Sequence, residues 1–138
     1  MTPPTTKTIL CVDDDADDRE MVCEAIAHIN PAYNVVHAED GKKAHEYLLK
    51  AKTKNEFPCL VILDINMPGM DGKETLAHIK KDDKLRNIPV VLFSTSDSEV
   101  DKRFCAKYDV ELVTKPSKMQ TIAVEIKRLL RYCEKETA

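Results

Sequence analysis

Residues 61–72 read VILDINMPGMDG, and this stretch decides how the rest of the chain is interpreted. A run of β-forming residues ends on Asp64, and a loop containing Pro68, Gly69 and Gly72 follows. Branched apolar residues favour extended structure, whereas proline and glycine favour turns. The pattern predicts a buried strand that carries a carboxylate at its carboxyl end.

Five short segments of this kind alternate with segments of helical periodicity. The predicted strands are residues 8–12 (TILCV), 34–38 (NVVHA), 59–64 (CLVILD), 90–94 (VVLFS) and 110–114 (VELVT). Apolar residues recur at helical spacing between and after them, as in Met21, Val22, Ala25, Ile26 and Ile29, in Leu76 and Ile79, and in Met119, Ile122, Ile126, Leu129, Leu130 and Cys133. The last helix is predicted to reach about Lys135. Strict alternation predicts an α/β fold, a doubly wound five-stranded parallel sheet with five helices on its two faces.

Length and composition narrow the class of protein. A chain of 138 residues fits one domain over residues 1–138, with a structured core of about residues 7–135 and short flexible termini. A net charge of −3 and a pI near 5.8 argue against a direct nucleic-acid or anionic-membrane surface. The N-terminal MTPPTTK has no apolar core of a signal peptide, and no apolar run approaches a membrane span of about 20 residues. We expect a soluble, cytoplasmic protein.

The cysteines and histidines show no metal-site or redox spacing. The cysteine count is odd and no C-x-x-C occurs, so we expect reduced, buried thiols at Cys11, Cys23, Cys59, Cys105 and Cys133. No pairing is expected among the histidines, which are interpreted as surface or boundary residues: His28, His37, His45 and His78.

Polar residues follow several of the predicted strands. In a doubly wound sheet, ligands bind beyond the carboxyl ends of the strands. The residues delivered to that edge are Asp13, Asp14 and Asp15 after the first strand, Asp64 on the third, Ser94 on the fourth and Lys115 after the fifth. The acidic run also suits a helix start, with Asp15 as N-cap and Asp17 and Asp18 near the positive end of the helix dipole. Taken singly, Lys115 would be interpreted as an ordinary solvated lysine, and Ser94 as a strand-end hydroxyl that bonds its own backbone.

Four segments together resemble the signature segments of the receiver domain of two-component response regulators. They are VDDDADD (12–18), LDINMPGMDG (63–72), IPVVLFSTS (88–96) and VTKP (113–116), and the match covers nearly the whole chain. One segment would be weak support, but four in the right order, each at a strand end, are specific. The resemblance implies a (βα)5 flavodoxin-like fold with strand order 2-1-3-4-5. The first and third strands are then neighbours, and Asp13, Asp14 and Asp64 face one space.

The resemblance also implies a phosphoryl-transfer chemistry. Asp64 would be the phosphoacceptor, attacking a phosphohistidine of a sensor histidine kinase or phosphotransfer protein. Mg²⁺, or Mn²⁺ as a substitute, would be bound directly by Asp14, Asp64 and the Asn66 backbone carbonyl, and by Asp13 through water. Two carboxylates about 4 Å apart repel by roughly 4 kcal/mol at an effective dielectric constant of 20, so a cation is needed.

Further positions take roles by the same resemblance. Lys115 and the Ser94 hydroxyl would bind phosphoryl oxygens, and the side chains of Asn66 and Ser96 would tune the lifetime of the phosphoryl group. Many receivers place a switching aromatic residue three positions before the lysine, where this chain has Leu112. We expect Leu112 to stay buried in both states, because burial of a leucine is worth roughly 2 kcal/mol.

Three other classes of protein share parts of this pattern. A haloacid-dehalogenase-type phosphatase carries its nucleophile on the first strand as Asp-x-Asp, whereas Asp64 lies on the third strand and is followed two residues later by Asn66. A flavodoxin-like cofactor binder needs a first loop rich in Ser, Thr and Gly, and the acidic run would repel phosphate. A pseudo-receiver keeps the fold without phosphorylation but typically loses the acidic pair, the acceptor or the lysine. This chain has lost none of them.

The sequence lacks a nucleotide-binding motif. No G-x-x-x-x-G-K-[ST] is present, so the phosphoryl group is expected from a partner or a small donor. Only a few residues follow the last predicted helix, and we expect no output domain. These features predict a single-domain response regulator, not an enzyme in its own right, that binds an unknown downstream protein or relays phosphate. An oligomer is possible.

Overall fold

The computed structural model describes residues 7–95, 98–115 and 119–134. Its strands are Thr8–Val12 (β1), Asn34–Ala38 (β2), Leu60–Asp64 (β3), Val90–Ser94 (β4) and Glu111–Thr114 (β5). Every neighbouring pair is parallel, and the order is β2-β1-β3-β4-β5. The doubly wound parallel sheet is confirmed, together with the strand order that the resemblance implied.

Five helices connect and cover the strands, as predicted. They are Ala16–Ile29 (α1), Gly41–Lys54 (α2), Gly72–Lys81 (α3), Glu99–Lys107 (α4) and Met119–Leu129 (α5). A 3-10 turn, Leu85–Asn87, precedes β4, and a short helix, Arg131–Glu134 (α6), follows α5. Within the described ranges, no helix is long and apolar enough to cross a membrane.

The core has two parts, one on each face of the sheet. Successive side chains of a strand point to opposite faces, so Ile9 and Cys11 of β1 pack with α1 and α5, while Leu10 and Val12 pack with α2, α3 and α4. The strand β3 is buried along its whole length. Full burial of a leucine or isoleucine contributes about 1.5–3 kcal/mol, which explains why the central strands read as apolar runs.

Local signals fix where the helices begin. The Asp15 side chain accepts hydrogen bonds from two backbone N–H groups of the first turn of α1, which confirms the predicted N-cap. Helix α3 begins against the end of β3, because the Gly72 N–H donates to the Ile65 carbonyl at 2.9 Å. A Cβ atom at Gly72 would lie 2.3 Å from the Asp64 carbonyl oxygen. Only glycine permits this close approach, which sets the loop directly beside Asp64.

Three predicted boundaries differ from the structure. Strands β3 and β5 each begin one residue later than predicted, excluding Cys59 and Val110. The Val110 N–H donates instead to the Cys105 carbonyl at the end of α4. The last predicted helix is interrupted at Leu130 because the Cys133 N–H donates to the Leu130 carbonyl, a tighter turn than an α-helix makes. The predicted end at Lys135 lies outside the described residues.

The prediction of five reduced cysteines is wrong. A disulfide joins Cys59 to Cys133, which are separated by 74 residues. Residue spacing carries no signal of this pair, since the bond forms only when α6 packs beside the start of β3. Cys11, Cys23 and Cys105 are free thiols. Burial, followed by the charge of Asp13, raises the pKa of the Cys11 thiol to about 12, so this thiol is inert at neutral pH.

Two side-chain predictions also need correction. The rings of His45 on α2 and His78 on α3 lie 5.1 Å apart between centroids, so the histidines are not all unpaired. Burial and the neighbouring His78 lower the pKa of His45. Leu112, which was expected to be buried, is half-buried and packs against the core on the α2, α3 and α4 side. The strand β5 is the last strand of the sheet and pairs with β4 alone among the strands that the structure describes.

Candidate functional site

The carboxyl edge of the sheet brings together three carboxylates. Asp13 directly follows β1, where its N–H extends the ladder to the Ala38 carbonyl at 3.1 Å, and Asp64 is the last residue of β3. Because β1 and β3 are neighbours, one carboxylate oxygen from each of Asp13, Asp14 and Asp64 lies within 4.8 Å of the other two. We call these three residues the acidic cluster. Asp13 and Asp64 are each 5% exposed, and Asp14 faces solvent.

A lysine from the other side of the edge completes this arrangement. The Lys115 N–H donates to the Ser94 carbonyl at 2.7 Å, which continues the pairing of β5 with β4 by one residue. The Lys115 Nζ lies 2.6 Å from Asp13 Oδ2, 2.8 Å from Asp18 Oδ2 and 3.8 Å from Asp64 Oδ1. The Lys115 side chain is only 9% exposed, so its pairs with the buried Asp13 and Asp64 are shielded from solvent, whereas Asp18 is partly exposed. The ammonium group bridges the strand ends and α1.

Sequence reasoning missed two members of this neighbourhood. Asp18 was assigned only to the dipole of α1, but it forms an ion pair with Lys115. The Arg19 Nη1 donates to the Asp13 carbonyl at 2.6 Å, which fixes the backbone that carries the acidic cluster. Asp18 follows the N-cap Asp15 by three residues and therefore lies on the same helix face. That spacing was the available signal, but the partner from β5 is visible only in the fold.

The electrostatic environment disfavours the ionised form of Asp64. Burial and then the charge of Asp13 raise the pKa of Asp64 to about 7, and Asp14 adds to the effect. The ammonium of Lys115 and a hydrogen bond donated by the Asn66 N–H act in the opposite direction. Because burial dominates, Asp64 is partly protonated near neutral pH when no cation is bound.

The pKa values of Asp13 and Lys115 are shifted as well. Burial raises the pKa of Asp13, although Lys115 opposes the shift. Burial would lower the pKa of Lys115, but hydrogen bonds to Asp13 and Asp18 raise it above its ordinary value, so the ammonium stays charged. Three carboxylates, those of Asp13, Asp18 and Asp64, lie within 4 Å of the one ammonium, and Asp14 adds a fourth negative charge beside Asp13 and Asp64. An excess of negative charge on oxygen atoms alone fits a hard divalent cation.

The remaining predicted site residues are placed as follows. Ser94 is the last residue of β4 and is fully buried. Asn66 is exposed in the loop after β3. Ser96, predicted at the rim of the site, and Pro116 of the VTKP segment lie outside the described residues. The structure therefore brings Asp13, Asp14, Asp64 and Lys115 together, while the predicted roles of Ser94, Asn66 and Ser96 stay predictions.

A doubly wound sheet of order 2-1-3-4-5, with an acidic cluster and a lysine at its carboxyl edge, defines the class of receiver-like α/β signalling modules. The family model of the response regulator receiver domain matches residues 9–127. The chain therefore belongs to the receiver domain family of two-component response regulators.

Individual relatives agree with this assignment. Response regulator Rcp1 of Synechocystis sp. is 36% identical over 104 residues, which cover 72% of this chain and 67% of Rcp1. The phosphate regulon transcriptional regulatory protein PhoB of Pseudomonas aeruginosa is 31% identical over 91% of this chain, but the match spans only 52% of PhoB. The phosphorylated cyanobacterial phytochrome response regulator RcpA is 31% identical, with a TM-score of 0.85 and coverage of 97% of this chain and 98% of RcpA.

Family membership supplies a coarse function. Receiver domains are signalling domains that interact with histidine kinases and downstream targets, and a phosphoacceptor role is implied by the family. They also bind divalent metal ions, and a solved structure of Rcp1, 28% identical over 96% of this chain and 97% of Rcp1 with a TM-score of 0.79, is its Mn²⁺-bound form. The acidic cluster of this chain is consistent with that property.

Proposed function

We propose that this chain is a response regulator that accepts a phosphoryl group on Asp64 from the phosphohistidine of a sensor histidine kinase or a phosphotransfer protein. The observation that carries the proposal is the convergence of Asp13, Asp14, Asp64 and Lys115 at one edge of the sheet. The signal then passes by altered binding of a downstream protein or by relay of the phosphoryl group. A cytoplasmic location and the absence of a separate enzymatic activity are part of the same proposal.

The acceptor step places a negative nucleophile beside a negative donor. An Asp64 carboxylate oxygen attacks phosphorus, the bond from phosphorus to the histidine nitrogen breaks, and the histidine leaves with that electron pair. Such transfers depend mainly on positioning and on neutralisation of charge. The Lys115 Nζ, 3.8 Å from Asp64 Oδ1, is the group that would bind an oxygen of the phosphoryl group on Asp64. The Ser94 hydroxyl is proposed to bind another.

The acidic cluster is proposed to hold Mg²⁺, with Mn²⁺ as a substitute. Asp14, Asp64 and the Asn66 carbonyl would be direct ligands, because Asp14 is exposed and free of the lysine. Asp13 would act through water, since its Oδ2 is paired with Lys115 and its Oδ1 accepts the Asp15 N–H at 3.0 Å. When bound, the cation neutralises charge that builds up on the carboxylate and phosphoryl oxygens.

Phosphorylation by a small donor tests the proposal directly. The purified chain is incubated with acetyl phosphate and Mg²⁺, and its intact mass is measured. We expect a gain of one phosphoryl group in the wild-type protein, and none in Asp64→Asn or after chelation of Mg²⁺. The matched control is Asp17→Asn, an exposed aspartate in the first turn of α1 that lies outside the acidic cluster.

The same experiment separates the acceptor from a pseudo-receiver. A folded wild-type protein that gains no mass, both with acetyl phosphate and with a phosphorylated histidine phosphotransfer protein, would favour the pseudo-receiver. Undiminished labelling of Asp64→Asn would falsify the assignment of the acceptor. Where the wild-type protein does gain mass, peptide mapping locates the modified residue.

A further inference from the structure

A groove of about 820 Å³ lies at the amino edge of the sheet, away from the acidic cluster. Its walls include the apolar side chains of Phe57, Ile88 and Tyr132. Both cysteines of the Cys59–Cys133 disulfide also line it. The disulfide therefore borders a space large enough to admit a small molecule.

The groove has a positive electrostatic character. Lys7 and Lys84 line it, and no carboxylate is among the lining residues in the part of the chain that the structure describes. The Lys7 Nζ donates a hydrogen bond to the Cys133 carbonyl oxygen, and Lys84 is exposed to solvent. An anionic molecule is favoured over a cationic one at this site, because both charged side chains are cations.

The two sulfur-bearing residues differ in access. Cys59 is half-buried just before β3, whereas Cys133 on α6 is 2% exposed. A thiolate that enters the groove therefore meets Cys59 first. Cys133 is then the residue that leaves, and the Lys7 ammonium donates a hydrogen bond to its backbone carbonyl.

We propose that Cys59 is a site of reversible modification by small anionic thiols, with Cys133 as the resolving cysteine. The incoming thiolate attacks the Cys59 sulfur, the bond between the two cysteine sulfurs breaks, and Cys133 departs as a thiolate that takes a proton from water. A second molecule of the small thiol then attacks the small molecule's sulfur in the mixed disulfide, which leaves Cys59 reduced and releases the small disulfide. In the reverse direction the small disulfide is the oxidant, and Cys133 closes the bond. This site does not depend on the acceptor role of Asp64.

Thiol counting tests whether the bond forms. The protein is equilibrated with oxidised glutathione, denatured in urea, alkylated with N-ethylmaleimide and weighed. Three alkylated cysteines are expected before treatment with dithiothreitol, since Cys11, Cys23 and Cys105 are free, and five afterwards. Five alkylated cysteines in both samples would overturn the proposal.

Single-cysteine variants test which sulfur is attacked. In Cys133→Ser, folded protein exposed to oxidised glutathione should acquire glutathione at Cys59. In Cys59→Ser, the buried Cys133 should react at least roughly tenfold more slowly, because access limits thiol exchange. Circular dichroism establishes that both variants are folded, and Cys23, half-buried on α1, is the internal reference in each sample. Equal rates at Cys59 and Cys133 would refute the assignment of the attacked residue.

Charge variants test the preference for anions. In Lys84→Glu, the rate with glutathione should fall roughly three- to fivefold and the rate with the cationic thiol cysteamine should rise, both effects shrinking in high salt. The matched control is Lys42→Glu, an exposed lysine in the first turn of α2 that does not line the groove. If Lys84→Glu and Lys42→Glu have the same effect, the groove does not select the thiol by charge, and this part of the proposal is wrong.

Discussion

Replacing Asp64 by asparagine should stabilise the protein when no metal is present. Burial and the charge of Asp13 raise the pKa of Asp64 from 3.8 to about 7, a shift of about three units. Each unit is worth about 1.4 kcal/mol, so the ionised side chain costs about 4 kcal/mol in the folded state, with the attraction of Lys115 already included. Asparagine has the shape of the neutral acid without its O–H donor, so we expect a gain of about 2–4 kcal/mol at pH 8.

The gain should depend on pH with a defined sign. Because the folded pKa of Asp64 is raised, the folded state binds more protons than the unfolded state between pH 3.8 and about 7. The stability of the wild-type protein that comes from this group is present in full below pH 3.8 and is lost as the pH rises to about 7. The difference between Asp64→Asn and the wild-type protein should therefore be small near pH 4 and largest above pH 7.

Urea unfolding in EDTA and in MgCl₂, from pH 5 to pH 8, measures both effects. Saturating Mg²⁺ binds the native wild-type protein and should stabilise it, by about 2.7 kcal/mol at one hundred times the dissociation constant, whereas Asp64→Asn should respond weakly. The control Asp17→Asn should lose only a few tenths of a kcal/mol at the start of α1 and keep the Mg²⁺ response. If Asp64→Asn differs from the wild-type protein by a constant amount at every pH, the pKa of Asp64 is not raised as its burial and the charge of Asp13 indicate.

Two further predictions concern the region around α4 and β5. The Lys73 Nζ lies 2.6 Å from Asp101 Oδ1, whose side chain is 10% exposed, so Asp101→Ala should lower the free energy of unfolding by about 2 kcal/mol by leaving a half-buried ammonium unpaired. A double-mutant cycle with Lys73→Ala in urea checks this, and a coupling below about 0.3 kcal/mol would contradict it. On phosphorylation, mimicked by beryllofluoride, we expect little rotameric change at the half-buried Leu112, while the loop after Ser94 and the face formed by α4, β5 and α5 respond. Methyl NMR tests this, and a large change at the Leu112 methyls that persists in Ser94→Ala would show that Leu112 responds without the hydroxyl.

The fold was predictable because its signals are local and repeated. Each strand is a short run rich in branched apolar residues, and helices cover both faces of β1 and β3, α1 and α5 on one side and α2, α3 and α4 on the other. The acidic cluster was predictable for a related reason. A parallel sheet carries all carboxyl ends to one edge, so Asp13 and Asp64 meet once the strand order is known. The order itself came from the resemblance to receiver domains and not from periodicity.

Two of the contacts that sequence reasoning missed join elements far apart in the chain. The disulfide between Cys59 and Cys133 needs α6 to pack beside β3, and the ion pair between Asp18 and Lys115 needs β5 to lie across from α1. Spacing rules for cysteines examine neighbours in sequence, and the separation here is 74 residues. The last helix is interrupted at Leu130, and no proline or glycine near this position indicates the interruption.

The two reactive edges of the molecule are joined by one strand and isolated from each other electrostatically. Cys59 immediately precedes β3 and Asp64 ends it, so at about 3.3 Å per residue the two lie roughly 17 Å apart. That distance is about twice the Debye length of about 8 Å at physiological ionic strength, so salt largely screens a solvent-exposed charge gained by thiolation from the far edge. Packing is the remaining route. Helix α5 contributes Ile122 and Ile126 to the core that contains Phe93 of β4, the residue before Ser94. An effect of the thiol state on labelling of Asp64 would therefore travel through β3 itself or through movement of α5.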